Sequence, residues 1–393
     1  MFTTLHTPYD ISGAGLPIAW QFQAAANWDT FDSYYLRLRV QTETPYRTYV
    51  WSNFVILEQE PAPDGTITFN FSHFLKSKVE SDPPDWINQS QARVCERMNA
   101  LHRIYIDEVT NGAVTYQINY GLFSPLHVLH GSFPWKTGQD YATYKTGGKF
   151  LTYQPRVKKV TDCQPEWLRM IITTNNTTAN VKAEVTFENG NTQAVNPAIS
   201  VLGQNNDVIE IPSGFMQLGL DSISGNIASW KVWVEDQSQN VISEEMTYQL
   251  DFLGFSDITR YYLFENQLGG FDTLRTTGVL EVKEKIQRDE YSLIPSPIGF
   301  EGTKTQIQFG VKSGKEYKQN SGWMTHSEQS WALGITKSTD VYLVGDDHLP
   351  NLDASGDLTP VNITSSSTDI HQDHEFLKSI VFTAEMAFSE IYL

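Results

Sequence analysis

Apolar and polar residues alternate with a period of two over short runs along most of the chain, the pattern of half-buried strands. Tyr34 to Val40 (YYLRLRV) is the clearest early run, followed by Phe54 to Leu57 and Ile67 to Phe71. Between the last two stands Pro61-Ala62-Pro63-Asp64-Gly65, where proline presets φ and Asp-Gly tolerates the positive φ of a tight turn. Arg103 to Tyr120 (RIYIDEVTNGAVTYQINY) places two alternating runs around Asn111-Gly112, which predicts a β-hairpin. Further strand-like runs are Leu168 to Thr173, Val181 to Phe187, Val208 to Ile211, Ser229 to Glu235 and Met246 to Phe252. Their spacing, with turns at Glu188 to Asn191 and Asp236 to Asn240, matches an immunoglobulin-like layout without its cysteine pair. The one helix that the pattern predicts is Ser327 to Gly334, with Thr325 as cap and Glu328 at capping-box spacing.

The expected architecture is therefore all-β: several β-sandwich or barrel-like domains, immunoglobulin-like in part, with one or two short helices. The divisions expected are a sandwich over 1–85 closed by Asp82-Pro83-Pro84, a hairpin and long partner-facing loop over 86–147, the immunoglobulin-like sandwich over 148–254, and a β-rich region with the short helix over 255–393.

Composition narrows the function classes. Aromatic residues make up 12% of the 393, a share that suits strands and interfaces. The net charge of -18 is spread along the chain, so its surface repels nucleic acid and no nucleic-acid binding is expected. Cys95 and Cys163 are the only cysteines, do not form a zinc-binding pair and are expected to be free thiols. The start, MFTTLHTPYD, lacks a basic stretch followed by an apolar one, and no run has the length of a membrane span, so folding in a cytoplasm without membrane insertion is expected.

Candidate chemistry is sparse. His371-Gln372-Asp373-His374-Glu375 and Asp346-Asp347-His348 are metal-ligand types, but in Ser/Thr-rich surroundings they read as solvated turns; Asp353 to Asp357 (DASGD) lacks the ligand order of a calcium loop. No bound metal or cofactor is expected. Asp107-Glu108 and Glu244-Glu245 are paired carboxylates that read more simply as exposed charges than as a glycosidase pair. No nucleophile elbow, phosphate loop or His-Glu-x-x-His motif is present, and the chain is expected not to be an enzyme.

The most distinctive stretch is Tyr261 to Gly278, YYLFENQLGGFDTLRTTG, read as a strand, a turn using Gly269-Gly270 for positive φ, and a second strand. Tyr261, Tyr262, Phe264, Leu268 and Phe271 are more large side chains than one ribbon face buries, so these residues with Gly269 and Gly270 are the expected assembly interface. Here the sequence resembles virion proteins of phages and prophages of Bacteroidetes hosts. Similar pieces are PAPDGTITFNFSHFL (Pro61 to Leu75), PEWLRMIIT (Pro165 to Thr173), WKVWVEDQSQNVISE (Trp230 to Glu244), SGWMTHSEQSWALGITKSTDVYLV (Ser321 to Val344) and LTPVNITSSST (Leu358 to Thr368). The resemblance implies a structural role in the tail, of the tail-tip or baseplate type, with copies of itself and other tail proteins as partners. An alternative is a tail adhesin binding a host surface receptor or glycan, with Trp135, Tyr141 and Tyr144 stacking on sugars; a neck or head-associated virion protein is another.

Overall fold

The computed structural model describes residues 1–119, 125–133, 140–251, 259–292, 306–344, 358–365, 378–387 and 390–392. Among the described residues strand dominates, gathered into several sheets with three short α-helices, and the all-β expectation holds. Two compact units form: one from Met1–Lys159, Pro165–Leu250 and Asn266–Phe271, the other from Val160–Gln164, Asp251–Glu265 and Asp272–Leu393.

The first unit contains two sandwiches. In one, strands Thr3–His6, Ala19–Gln23 and Thr66–Asn70 make a three-stranded sheet against a six-stranded one. The larger sheet runs Ile11–Gly13, Leu126–Leu129, Asn99–Thr110, Tyr34–Thr42, Val55–Gln59, with Ala113–Asn119 also on Asn99–Thr110. Burial along Tyr34–Thr42 alternates at every residue, so Leu36, Leu38 and Val40 meet Trp20, Phe22, Ile67 and Phe69 in the core while Tyr35, Arg37 and Arg39 face outward. The predicted hairpin is present, and both Asn111 (φ 50°) and Gly112 (φ 79°) take the left-handed conformation that such a two-residue turn requires. No domain boundary falls at 85, however. Asn99–Thr110 pairs along its length with Tyr34–Thr42, so the hairpin expected in a separate 86–147 segment is the middle of the first sandwich.

In the second sandwich, Trp167–Ile171, Val208–Pro212 and the two-residue strand Arg93–Val94 form one sheet. Thr177–Phe187 and Ile227–Glu235 lead the other, flanked by Val157–Val160, Met246–Leu250, Thr192–Val195 and Ser200–Gly203. Trp230 links the sheets: its Nε1 donates to the Ser213 carbonyl at 2.9 Å, and its ring stacks on Tyr248. Every residue of Trp167–Ile171 and Val208–Pro212 is buried, because this sheet is covered on both faces.

The second unit is one antiparallel sheet in the order Phe271–Thr276, Arg260–Glu265, Val341–Val344, Leu358–Ile363, Val381–Met386, Gln306–Asn320, Leu280–Ser292, with Glu390–Tyr392 also on Gln306–Asn320. The predicted helix, His326–Ala332, starts at Thr325 with the capping box to Glu328 in place, and its Trp331 packs into the core beside Phe264.

Two histidines sit unprotonated in the first sandwich. Burial lowers the pKa of His102 to about 3, helped by the neighbouring His127 and Lys78; burial, then Lys145, lowers that of His127 to about 4. In the unfolded chain each titrates near 6.5 and binds the proton first, so their contribution to stability is intact above that value and drains away as pH falls toward the folded values. Stability measured by denaturant titration should fall between pH 6.5 and 5 by up to about 1.4 kcal/mol per pH unit for each histidine. His102→Gln should flatten that slope; an unchanged slope would remove His102 as a cause.

Candidate functional site

The hairpin expected to meet another chain is instead buried in its own. Tyr261, Tyr262, Phe264, Leu268 and Phe271 are all at most 2% exposed, which leaves no surface for a partner. The count of large side chains misled because this ribbon is covered on both faces, and a ribbon so covered can bury alternate residues on each side. Tyr262 and Phe264 enter the core of the second unit with Trp331 and Phe382, and the Tyr261 hydroxyl meets Thr161 Oγ1 at 2.6 Å.

The turn, Asn266–Phe271, belongs to the first unit. Asn266 organises it: its Oδ1 accepts from the N–H of Leu268 and of Gly270, and its Nδ2 donates to the Leu151 carbonyl at 3.0 Å. Gly269 has φ 84°, as the turn chemistry predicts, but Gly270 does not have positive φ. Gly270 is needed for a different reason: a Cβ there would lie 2.2 Å from the Leu151 carbonyl oxygen. The Gly269 carbonyl accepts from Arg169 Nη1 at 2.8 Å, and the Phe271 ring lies under the same guanidinium, 5.1 Å from its centre.

Arg169 is fully buried among charges that cancel. Its Nε and Nη2 donate to Glu210 Oε2 at 2.9 and 2.5 Å, Nη2 also reaches the Asp82 carbonyl, and Nη1 the Met98 sulfur at 3.6 Å. Arg93 bridges the other Glu210 oxygen at 2.8 Å and the Asp82 carboxylate at 2.9 Å. Burial pushes the adjacent Cys95 thiol up to about 12, so it is an inert core group rather than a nucleophile. This cluster holds structure together; its donors and acceptors face one another.

The other sequence candidates are also internal or paired. Tyr141 and Tyr144, expected on a loop as sugar platforms, are buried in the helix Tyr141–Thr146 against Phe133, and the Tyr141 hydroxyl donates to the Leu268 carbonyl. Trp135 lies outside the described residues, as do Asp346, Asp347, His348, Asp353, Asp357, His371, His374 and Glu375. Asp107 and Glu108 are buried rather than exposed: Asp107 forms a two-point pair with Arg39, and Glu108 accepts from the Tyr34 hydroxyl. Glu244 caps the Phe150 N–H and pairs with Arg156, while Glu245 faces Lys231.

The surface that stands out was not singled out by sequence reasoning. Strands Leu280–Ser292 and Gln306–Asn320, thirteen and fifteen residues long, pair over their whole length as a ribbon. Its outer strand spans about 40 Å at a strand rise of about 3.4 Å per residue and is exposed nearly throughout. Alternation sorts the side chains into two unlike faces. One carries Glu281, Lys283, Lys285, Gln287 and Asp289, with Lys285 paired to Glu316 and Glu385. The other begins at Leu280 and buried Tyr317, inside the core, and continues outward through Val282 (41% exposed), Glu284 opposite Lys315, Ile286 (48%) and Arg288. Aliphatic positions on this face thus run past the end of the core, interleaved with charges. The signal was present in the spacing of Leu280, Val282 and Ile286, hidden among charges of both signs.

No family model matches the chain, and no curated protein matches it either.

The reassignment of the turn is testable. Phe271→Ala should destabilise the monomer by about 3 to 5 kcal/mol, the usual cost of emptying a buried aromatic site. Thermal and denaturant unfolding of the purified chain measure it, and a change below about 1 kcal/mol would contradict the packing described.

Proposed function

We propose that this chain is a structural, non-catalytic subunit of a bacteriophage virion, in the tail tip or baseplate, that assembles with copies of itself into a ring or collar and with other tail proteins. The observation that carries the reading is the ribbon. Leu280–Ser292 is an edge strand of its sheet, and aliphatic side chains left uncovered on such an edge gain stability by meeting a second surface. Its charge indicates which surface. The two strands hold six Lys/Arg (Lys283, Lys285, Arg288, Lys312, Lys315, Lys318) and five Asp/Glu (Glu281, Glu284, Asp289, Glu290, Glu316), a net +1, so the rest of the chain carries -18 - 1 = -19. A nearly neutral, lysine-bearing strand pair in so acidic a chain is complementary in charge to the acidic surface of another copy. The resemblance of Tyr261 to Gly278 and of the C-terminal pieces to phage virion proteins supports a tail setting. Among the described residues no helix is long and apolar enough to cross a membrane.

Replacing Val282 and Ile286 together by glutamate should weaken self-association at least about a hundredfold, since each buried aliphatic side chain contributes about 1.5 to 3 kcal/mol. The melting temperature should hold, because both side chains are partly exposed in the single chain. Sedimentation velocity and negative-stain imaging read the outcome. A wild-type protein still monomeric at about 100 µM, or a double variant that assembles unchanged, would remove the ribbon as the assembly element.

A further inference from the structure

The outward face of the six-stranded sheet interleaves arginine with aromatic rings. Arg39 lies 4.9 Å from the centre of the Phe54 ring and 5.3 Å from that of Tyr105, Arg37 lies 5.9 Å from that of Tyr35, and Arg103 stacks on Trp51 at 3.9 Å. Two of these cations are already neutralised, Arg37 by Glu58 at 2.7 Å and Arg39 by Asp107 at 2.8 Å. Arg103 is different: among the described residues no carboxylate pairs with it, and its position is set by the indole and by its place opposite Gln41. A guanidinium placed over a ring, with no carboxylate partner, keeps N–H groups for a planar anion.

A second feature points at the same place. The loop from Glu43 to Trp51 holds Arg47 at φ 66° and Tyr49 at φ 58°, a conformation that bulky residues adopt at a cost. The surroundings enforce it. The buried Glu43 carboxylate accepts from the Tyr49 N–H at 2.5 Å, Thr48 Oγ1 donates to the Pro45 carbonyl at 2.6 Å, and the Tyr46 hydroxyl donates to Asp207 at 2.8 Å, with Arg47 3.6 Å from the same residue. The result is that Tyr49, two residues from Trp51, is 79% exposed on a fixed backbone. A strained, over-determined loop that presents a bare aromatic ring is characteristic of ligand clamps.

We propose that Arg103, Trp51 and Tyr49 form a binding site for a carboxylate-bearing saccharide, a uronic or sialic acid unit within a surface glycan. Arg103 takes the carboxylate through its N–H edge, and Tyr49 offers its ring to the apolar face of a sugar. The charge balance selects this ligand. A chain of net charge -18 repels polyanions such as nucleic acid, whereas one unpaired cation beside apolar rings matches a ligand with one carboxylate and extended apolar ring faces. The site goes beyond the assembly reading and does not depend on it: it would put sugar recognition on a surface other than Tyr141 and Tyr144, which are buried.

The full chain is titrated, by calorimetry and by saturation-transfer NMR, with three probes that carry one carboxylate each: a methyl galacturonoside, a disaccharide of glucuronate and N-acetylglucosamine, and a sialylated trisaccharide, each beside its methyl-esterified form. At least one acid form should bind with a dissociation constant under about 5 mM, and its ester at least about tenfold more weakly. Arg103→Gln and Tyr49→Ala should each weaken binding at least about tenfold at unchanged melting temperature. The Val282→Glu, Ile286→Glu double variant should bind normally, which separates failure of this site from failure of the assembly reading. Absence of binding by all three acids, equal binding of acid and ester, or wild-type binding by Arg103→Gln would overturn the proposal. So would a loss of self-association, in place of sugar binding, in the Arg103 and Tyr49 variants, which would make this face a protein contact.

Discussion

Arg169 is a permanent charge with no access to water, and every one of the five N–H groups of a guanidinium so placed that goes unmet costs stability. Glu210, the Asp82 carbonyl, the Gly269 carbonyl and the Met98 sulfur meet them, and these come from four separate stretches of chain. Each stretch is thereby fixed in register against the others. Replacing such a cluster by well-packed apolar groups is often no less stable, so its contribution lies in specifying one arrangement; removing a single partner strands a charge and costs several kcal/mol. The Asn266 turn follows from the same constraint, because the Gly269 carbonyl is presented to Arg169 only when Asn266 closes the turn and both glycines let other backbone come close.

The two proposed surfaces share a physical origin. Each is a place where a sheet's regular alternation continues beyond what its own domain covers: Val282 and Ile286 extend a core stripe into solvent, while Trp51, Phe54 and Tyr105 put rings on a face that usually carries small polar groups. The first is amphipathic and suits a broad protein contact. The second is a set of flat rings with one unmatched cation, and suits a small ligand with apolar C–H faces and one negative charge.

Strands were legible because period two survives in sequence without knowledge of the neighbours: Tyr34 to Val40, the Asn111-Gly112 hairpin and the Thr325 cap all appear where the pattern puts them. What failed was the number of layers. The rings from Tyr261 to Phe271 looked like surplus because periodicity reports which residues share a face and says nothing about whether that face is covered. Asp82-Pro83-Pro84 read as the end of a domain, yet the Asp82 carbonyl accepts from buried Arg169 and from Arg93, and the Pro83 carbonyl from Arg93. Helices of five and six residues, Ser72–Lys76 and Tyr141–Thr146, are too short to show a period, so the sequence pattern around Tyr141 and Tyr144 reads as a loop. Arg103 and Trp51 carry no motif at all; strand pairing in space brings together residues 52 positions apart.

The path of the chain through the two units has a consequence for how such a protein changes over generations. Continuity passes from one unit to the other after Lys159, after Gln164, after Leu250, after Glu265 and after Phe271. No single cut separates a complete first unit from a complete second one. A contiguous block of the gene that holds all of one unit therefore always carries part of the other, so the two units are inherited together.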